Sequence, residues 1–222
     1  MAIDRWMLDQ LEAGGPAMLR LYRWSRPTLS LGRHQRRLEP HWPALVEEGV
    51  IDLVRRPSGG RAVLHSGELT YALVCRRDGV RREQAYRDCC RWLQRCLARA
   101  GQPLNFGASS AAQALGSGSC FATATAADLV QANGGKRIGS AQLWRGPLLL
   151  QHGSLLLDPP RELWWRVFGS APPPLPPLPW GASELMRQLR LSAEAELCRE
   201  PLQPQRLTAA EWTQIEGLRC TV

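Results

Sequence analysis

The stretch from residue 133 to 158, NGGKRIGSAQLWRGPLLLQHGSLLLD, constrains the fold of this chain more than any other. Asn133-Gly134 lies between DLVQA and KRIGSAQ, and Asn-Gly is the dipeptide that the tight turns of β-hairpins demand. The apolar runs LLLQH and GSLLLD then continue at strand length, so the centre of the chain commits to a sheet. The same stretch holds Lys136, the only lysine among 28 basic residues. Arginine effectively keeps its proton, whereas a desolvated lysine can lose it and act as base or amine. A single lysine in so arginine-rich a chain marks a place where a guanidinium does not serve; the plain alternative is a leftover lysine in a hairpin. Sixteen residues earlier stands Cys120, a candidate nucleophile, preceded by the small and polar GASSAAQALGSGS (107–119). That segment reads as a mobile loop suited to substrate entry, or as an ordinary connection. Cys120 and Lys136 form the candidate catalytic pair.

Around this centre the pattern alternates. Residues 2–13 carry Ile3, Trp6, Met7, Leu8 and Leu11 close to a 3.6-residue stripe, which predicts a helix. AMLRLYRW (17–24), TLSLG (28–32), IDLVRR (51–56), RAVLH (61–65) and ELTYALVC (68–75) have strand character, and HWPALVEEG (41–49) is a short helix ended by Gly49. Residues 82–100 form the longest helical pattern, with Cys90 and Cys96 on different faces. APPPLPPLP (171–179) is a polyproline connection, followed by two closing helices in SELMRQLRLSAEAEL and LTAAEWTQIEGL. The class is α+β, a mixed sheet core flanked by helices. We expect one catalytic domain over 1–170, with 171–222 packed on it.

Composition narrows the function. No apolar run approaches the roughly 18–20 residues that span a bilayer, and the acidic, amphipathic N-terminus lacks a signal core, so no membrane partner and a cytoplasmic location are expected. Seven cysteines without framework or zinc spacing read as mostly free thiols, with no metal site. A formal charge of +8 suggests an acidic partner. The arginines are dispersed, RRDGVRR (76–82) being the densest group, and no nucleic-acid motif accompanies them, so no nucleic-acid partner is expected. Gly135-Lys136 is not a phosphate loop, because Val130 and Arg137 occupy positions that such a loop gives to glycine and to Ser/Thr. GSGSC (116–120) is out of phase for a nucleophile elbow. His65 and His152 each end a predicted strand run beside a glycine-containing turn, a place for a structural histidine as much as for a base.

Two blocks carry a resemblance. RRPSGGRAVLHSGELTYAL (55–73) resembles the RRxTGG…VxH block of the biotin/lipoate protein ligase and octanoyltransferase superfamily, and residues 134–158 resemble its K-(I/V)-x-G-x-A-Q…HG-(S/T)-LLL block. MAIDRWML and PTLSLGR are weaker matches, with Arg5 after Asp4 where the family often has Glu. The resemblance spans about residues 1–168. It implies a ligase-like catalytic fold and one of two chemistries: ATP-dependent lipoate ligation, or transfer of an octanoyl group without ATP through a cysteine thioester. Cys120 in its Ser-Cys-Phe context, Arg61 in place of a third glycine, and HSGEL (65–69) in place of the ligases' HDxGN favour the second. Only about fifty residues follow the matched region, little for the extra domain common in the ligases.

The expected reaction takes octanoyl from octanoyl-acyl carrier protein to Cys120 and then to a lysine of a lipoyl domain or the glycine-cleavage H protein, with no cofactor; ATP enters only if the ligase alternative holds. A free thiol is only a few per cent ionised at neutral pH, so Cys120 needs the cation or base that Lys136 supplies. Ser58, Gly59 and Gly60 would bring backbone N–H groups to the substrate. Arg55, Arg56 and Arg61 are candidates to meet carrier phosphate, and by the resemblance His65, Gly139, Ser140, Ala141, Gln142, His152 and Gly153 would sit at the binding pocket. An amidotransferase moving octanoyl between protein lysines and a non-catalytic binder of carrier domains remain as alternatives.

Overall fold

Strands that are apolar on both sides need covering on both sides, and that requirement organises the molecule. The computed structural model describes residues 1–107, 119–121, 128–198 and 200–218. Nine strands and six helices are found there: β1 Met18–Tyr22, β2 Thr28–Leu31, β3 Asp52–Arg55, β4 Val63–His65, β5 Glu68–Arg76, β6 Asn105–Phe106, β7 Leu129–Val130, β8 Lys136–Arg145, β9 Leu148–Leu156, and α1 Ala2–Glu12, α2 Trp42–Glu47, α3 Arg82–Arg99, α4 Arg161–Phe168, α5 Ala182–Leu197 and α6 Ala209–Gly217. Six strands form an antiparallel sheet in the order β1-β5-β9-β8-β7-β6. A second sheet, β3-β2-β4, pairs β2 parallel to β3 and antiparallel to β4.

On one face of the large sheet, Leu69 and Tyr71 pack with Trp92, Leu93 and Leu97 of α3 and with Leu185 and Leu189 of α5. On the other, Ala72, Val74 and Leu150 meet Trp6, Met7, Leu8 and Leu11 of α1 and Ile215 of α6. The small sheet buries Leu29, Leu31 and Leu64 against Trp42 of α2 and Trp164 and Val167 of α4. The closing helices are bonded into these layers: Ser192 donates to the Trp92 carbonyl at 2.7 Å, and the Trp6 indole donates to Gln214 at 2.9 Å. Arg137, fully buried, donates to the carbonyls of Leu156 (3.0 Å) and Pro176 and to Gln102, tying the proline-rich connection to β9. Burial pulls its pKa down to about 10.

Four details depart from the sequence reading. The strands belong to two sheets instead of one. LLLQH and GSLLLD are a single strand, β9, which continues through Gly153. Helix α4 was not anticipated; it is a short helix between Pro160 and Gly169, whose φ of 65° ends it in the left-handed conformation. Cys90 and Cys96 share one apolar cluster, because α5 packs on α3 as well as the sheet. Positions 108–118 of the expected mobile loop lie outside the described residues. No helix among the described residues is long and apolar enough to cross a membrane.

Candidate active site

A cavity opens where the two sheets meet, with about 430 Å³ of space counting the part open to solvent. Its lining comes from β2 (Ser30), β4 (Val63, His65), β5 (Thr70), β8 (Gly139, Ser140, Ala141), β9 (His152, Gly153, Ser154), the turn between β3 and β4 (Arg56, Gly59, Gly60), and Met1 and Cys120. Glycine at 139 and 153 makes the wall possible. A Cβ on Gly153 would lie 2.6 Å from both the Gly139 carbonyl oxygen and Ser140 Oγ, and one on Gly139 would lie 2.9 Å from Lys136 Cε.

Cys120 is fixed by its backbone. Its N–H donates to the Ala62 carbonyl at 2.9 Å, and Ser119 bridges to Ala62, which seats the thiol directly after the Ser58-Gly59-Gly60 turn. The side chain is half-buried. Lys136 Nζ lies 3.5 Å from Cys120 Sγ and donates to the Cys120 carbonyl at 2.7 Å. The Asp128 carboxylate stands 2.9 Å from the same Nζ, and both side chains of this pair are at most 4% exposed. The ammonium also sits 5.1 Å from the centre of the Phe121 ring.

Arg56 is the second cation at the thiol. It is 5% exposed, and its guanidinium donates to the carbonyls of Ser30 (2.8 Å), Gly59 (3.0 Å) and Arg61 (2.5 Å). These bonds close the turn on itself, and none goes to a carboxylate. Burial lowers the Arg56 pKa, and the Coulomb effect of Cys120 opposes that. Gly60 needs to be glycine: its φ is 100°, and a Cβ there would meet the Arg56 guanidinium.

Both histidines are buried and oriented. His65 Nδ1 lies 3.0 Å from Glu68 Oε1 and its Nε2 lies 2.8 Å from Ser30 Oγ, while Trp24 stacks on the ring at 4.3 Å. Burial lowers its pKa and outweighs the raising effect of Glu68, so the ring is neutral near pH 7. His152 Nε2 is 2.5 Å from Ser58 Oγ and its Nδ1 is 3.1 Å from Asp4 Oδ2. Arg20 donates to the other oxygen of Asp4 at 3.0 Å. Burial alone would raise the Asp4 pKa; the His152 hydrogen bond, the terminal ammonium and Arg20 overcome it and hold the carboxyl at about 2.

The structure therefore brings together Cys120, Lys136, Arg56, Gly59, Gly60, His65, Gly139, Ser140, Ala141, His152 and Gly153, with Ser58 reaching the cavity wall through His152. Three expected binding residues stand apart. Arg55 is turned to the carbonyls of Gly32 (3.0 Å) and Gln35 (2.8 Å), where it holds a loop. Gln142 donates to Gln151 at 2.7 Å and accepts from Trp144, away from the cavity. Arg61 contributes its carbonyl to Arg56 and does not line the cavity. Arg56 itself is too buried to meet a phosphate at the surface; it is a strut of the turn and a charge beside the thiol. Asp128, Asp4 and Ser30 were missed. Asp128 carries a signal in retrospect, as the only charged residue between Arg99 and Lys136. So does Asp4, an acid four and seven residues before Leu8 and Leu11 on the apolar stripe.

A half-buried thiol, with the buried Lys136 beside it, thus lies where the antiparallel sheet meets the small mixed one. A family model described as the lipoyl protein ligase A/B catalytic domain matches residues 1–171, and the chain belongs to that family. Among curated relatives, the octanoyltransferase LipM of Moorella thermoacetica is 36% identical over 166 residues, covering 71% of this chain and 60% of its own. The octanoyltransferase LipM of Symbiobacterium thermophilum is 39% identical over 161 residues, covering 68% and 58%. The chain thus spans less than two thirds of the length of these relatives. Among solved structures, protein Ta0514 of T. acidophilum superposes with a TM-score of 0.81 at 19% identity, covering 98% of this chain and 87% of that one. A lipoate-protein ligase A bound with ATP gives a TM-score of 0.77, also at 19% identity, covering 98% and 87%. At such identities the likeness is one of fold.

Proposed function

We propose that this chain transfers an octanoyl group from acyl carrier protein, through a thioester on Cys120, to a lysine of a lipoyl domain or of the glycine-cleavage H protein. The observation that carries the reading is Lys136 Nζ at 3.5 Å from Cys120 Sγ, in a cavity that Arg56 also charges positively. The resemblance to octanoyltransferases named LipM supports the acyl group.

Cys120 reacts as thiolate, with the Lys136 ammonium and the Arg56 guanidinium as its counter-charges. Sγ attacks the carbonyl carbon of the donor thioester; the new C–Sγ bond forms and the bond to the donor sulfur breaks. The departing thiolate takes up the proton that Cys120 gave. One thioester replaces another, so this half needs no ATP. In the second half the neutral amine of the acceptor lysine attacks the same carbon, the C–N bond forms, and Cys120 leaves as thiolate into the same pair of cations. Thiolate suits both halves, being a good nucleophile and a good leaving group. In this reading Lys136 acts as a fixed charge, its Nζ lying 2.9 Å from the Asp128 carboxylate and 3.5 Å from Cys120 Sγ.

The test is intact-mass analysis of the protein mixed with octanoyl-carrier protein in the absence of ATP. One octanoyl adduct is expected, absent in Cys120→Ala and discharged by a lipoyl domain. An adduct that persists in Cys120→Ala, or acylation that waits for ATP, overturns the reading.

A further inference from the structure

Aminolysis of the thioester releases a proton from the attacking amine, and Lys136 is badly placed to take it. Its Nζ is surrounded by the Asp128 carboxylate at 2.9 Å, the Cys120 carbonyl at 2.7 Å and the Cys120 sulfur at 3.5 Å. These are acceptors, and they suit an ammonium, not the lone pair of a neutral amine.

Resting on the acyl-transfer reading, we infer that His152 is the base of the second half-reaction and that Asp4 is its positioning residue. The argument is geometric. His152 lines the cavity that holds Cys120, and the ring is only 4% exposed. Asp4, fully buried and ionised, can only accept, so the His152 Nδ1 at 3.1 Å must carry a hydrogen and donate it. Nε2 is then the ring nitrogen left to take up a proton, and Ser58 Oγ lies 2.5 Å from it. Nε2 is thereby oriented as an acceptor, and one rotation of the Ser58 side chain yields its place to the amine. Arg20, 3.0 Å from Asp4, fixes the carboxylate in turn. Base, orienting acid and cavity come together from residues that the sequence spreads from position 4 to position 152.

The step balances. The acceptor nitrogen bonds to the acyl carbon and gives its N–H proton to Nε2; Asp4 stabilises the imidazolium; the C–Sγ bond breaks and Cys120 leaves as thiolate; and His152 then gives the proton to solvent. Amide and thiolate result, and the imidazole returns to its starting tautomer.

Separating the two half-reactions tests this. Acyl-enzyme is first formed from octanoyl-carrier protein, its rate of formation is followed by intact mass, and its discharge by a lipoyl domain is then timed. In His152→Gln, discharge is expected to slow about 100-fold while acylation changes by less than about threefold. Asp4→Asn is expected to slow discharge by about tenfold in the same selective way. Added imidazole should speed discharge of the acylated His152→Ala protein, which a merely structural histidine would not allow. The inference fails if acylation and discharge fall together in both variants, if neither falls, or if imidazole has no effect. Failure of the wild type to form any Cys120 adduct strikes the acyl-transfer reading instead, so the two outcomes are distinct. Should His152→Gln not fold, the Asp4→Asn comparison decides the matter alone.

Discussion

Gly139 has no side chain because Lys136 occupies the space: a Cβ there would lie 2.9 Å from Lys136 Cε and 3.4 Å from Phe121 Cζ. The end of a lysine can ordinarily swing aside, but this one is held by Asp128 and by the Cys120 carbonyl. Gly139→Ala is therefore expected to displace Nζ from the thiol, slowing Cys120 acylation by about tenfold, the equivalent of roughly 1.4 kcal/mol, with little loss of stability. Acylation rates and melting curves together check it. Asp128→Asn acts on the same lysine from the other side. It takes the carboxylate from a buried ammonium, and unfolding in urea should show a loss of about 3 kcal/mol. Asp4 gives a pH signature. Its pKa is held at about 2 in the fold against 3.8 for the free group, so the unfolded chain binds the proton more readily. The stability it contributes is complete above about pH 4 and is lost as pH falls through 2. At one pKa unit per 1.36 kcal/mol that loss is about 2 kcal/mol, and Asp4→Asn should flatten this part of the stability profile. Cys120 and Lys136 were legible because each is singular in its surroundings. Asp4 and Asp128 were passed over despite their settings in the sequence, since what a buried acid does is set by the partners the fold brings to it: His152 and Arg20 for Asp4, Lys136 for Asp128.

Strand β9 shows how an element, and not only a residue, makes the site. It pairs with β5 along its whole length and with β8 from Leu148 to Leu155, so all its residues but the last are fixed by two neighbours. Opposite Gly153 stand Tyr71 on one side and Ser140 on the other. A Cβ at 153 would meet the Gly139 carbonyl, Ser140 Oγ and Tyr71 Cε1, all within 2.7 Å. Backbone cannot step aside as a side-chain tip can, so Gly153→Ala must spread β8 from β9. A loss of about 2 kcal/mol in urea unfolding is expected, together with a slower acylation rate, because Lys136 and His152 lie on the separated strands. The long strands and α3 were legible from periodicity and length, and the 133–134 turn from its Asn-Gly pair. Helix α4 was not, since RELWWRVF is too short to show a period, although Pro160 and Gly169 do bracket it. The division into two sheets is a matter of partners, and β2 pairs with β3 across the whole of α2, which local pattern does not encode.

At the scale of the whole molecule, charge and topology act together. The densest arginine group, 76–82, follows the end of β5 farthest from His65, so it lies away from the cavity mouth and has its own partner in Asp78, 2.8 Å from Arg76. A different basic segment stands beside the cavity. The loop after β2 carries Arg33, Arg36 and Arg37, all exposed. The Arg33 N–H donates to the Ser58 carbonyl at 2.8 Å, and Arg55 clamps the carbonyls of Gly32 and Gln35. The turn that lines the cavity thus holds the loop that bears the charges, and Arg55 supports arginines other than itself. An acidic carrier approaching the thiol would meet this loop, and opposite charge at a rim raises the rate of encounter. Replacing Arg36 and Arg37 with Glu is therefore expected to raise KM for octanoyl-carrier protein about tenfold. Octanoyl-pantetheine carries the same thioester without the acidic protein, and its turnover should stay within about twofold. Salt should weaken the first reaction more than the second between about 50 and about 500 mM, because exposed charges are screened over a few ångströms at the upper value. If both donors lose activity equally in the Arg36→Glu/Arg37→Glu protein, the loop supports the turn and does not dock the carrier.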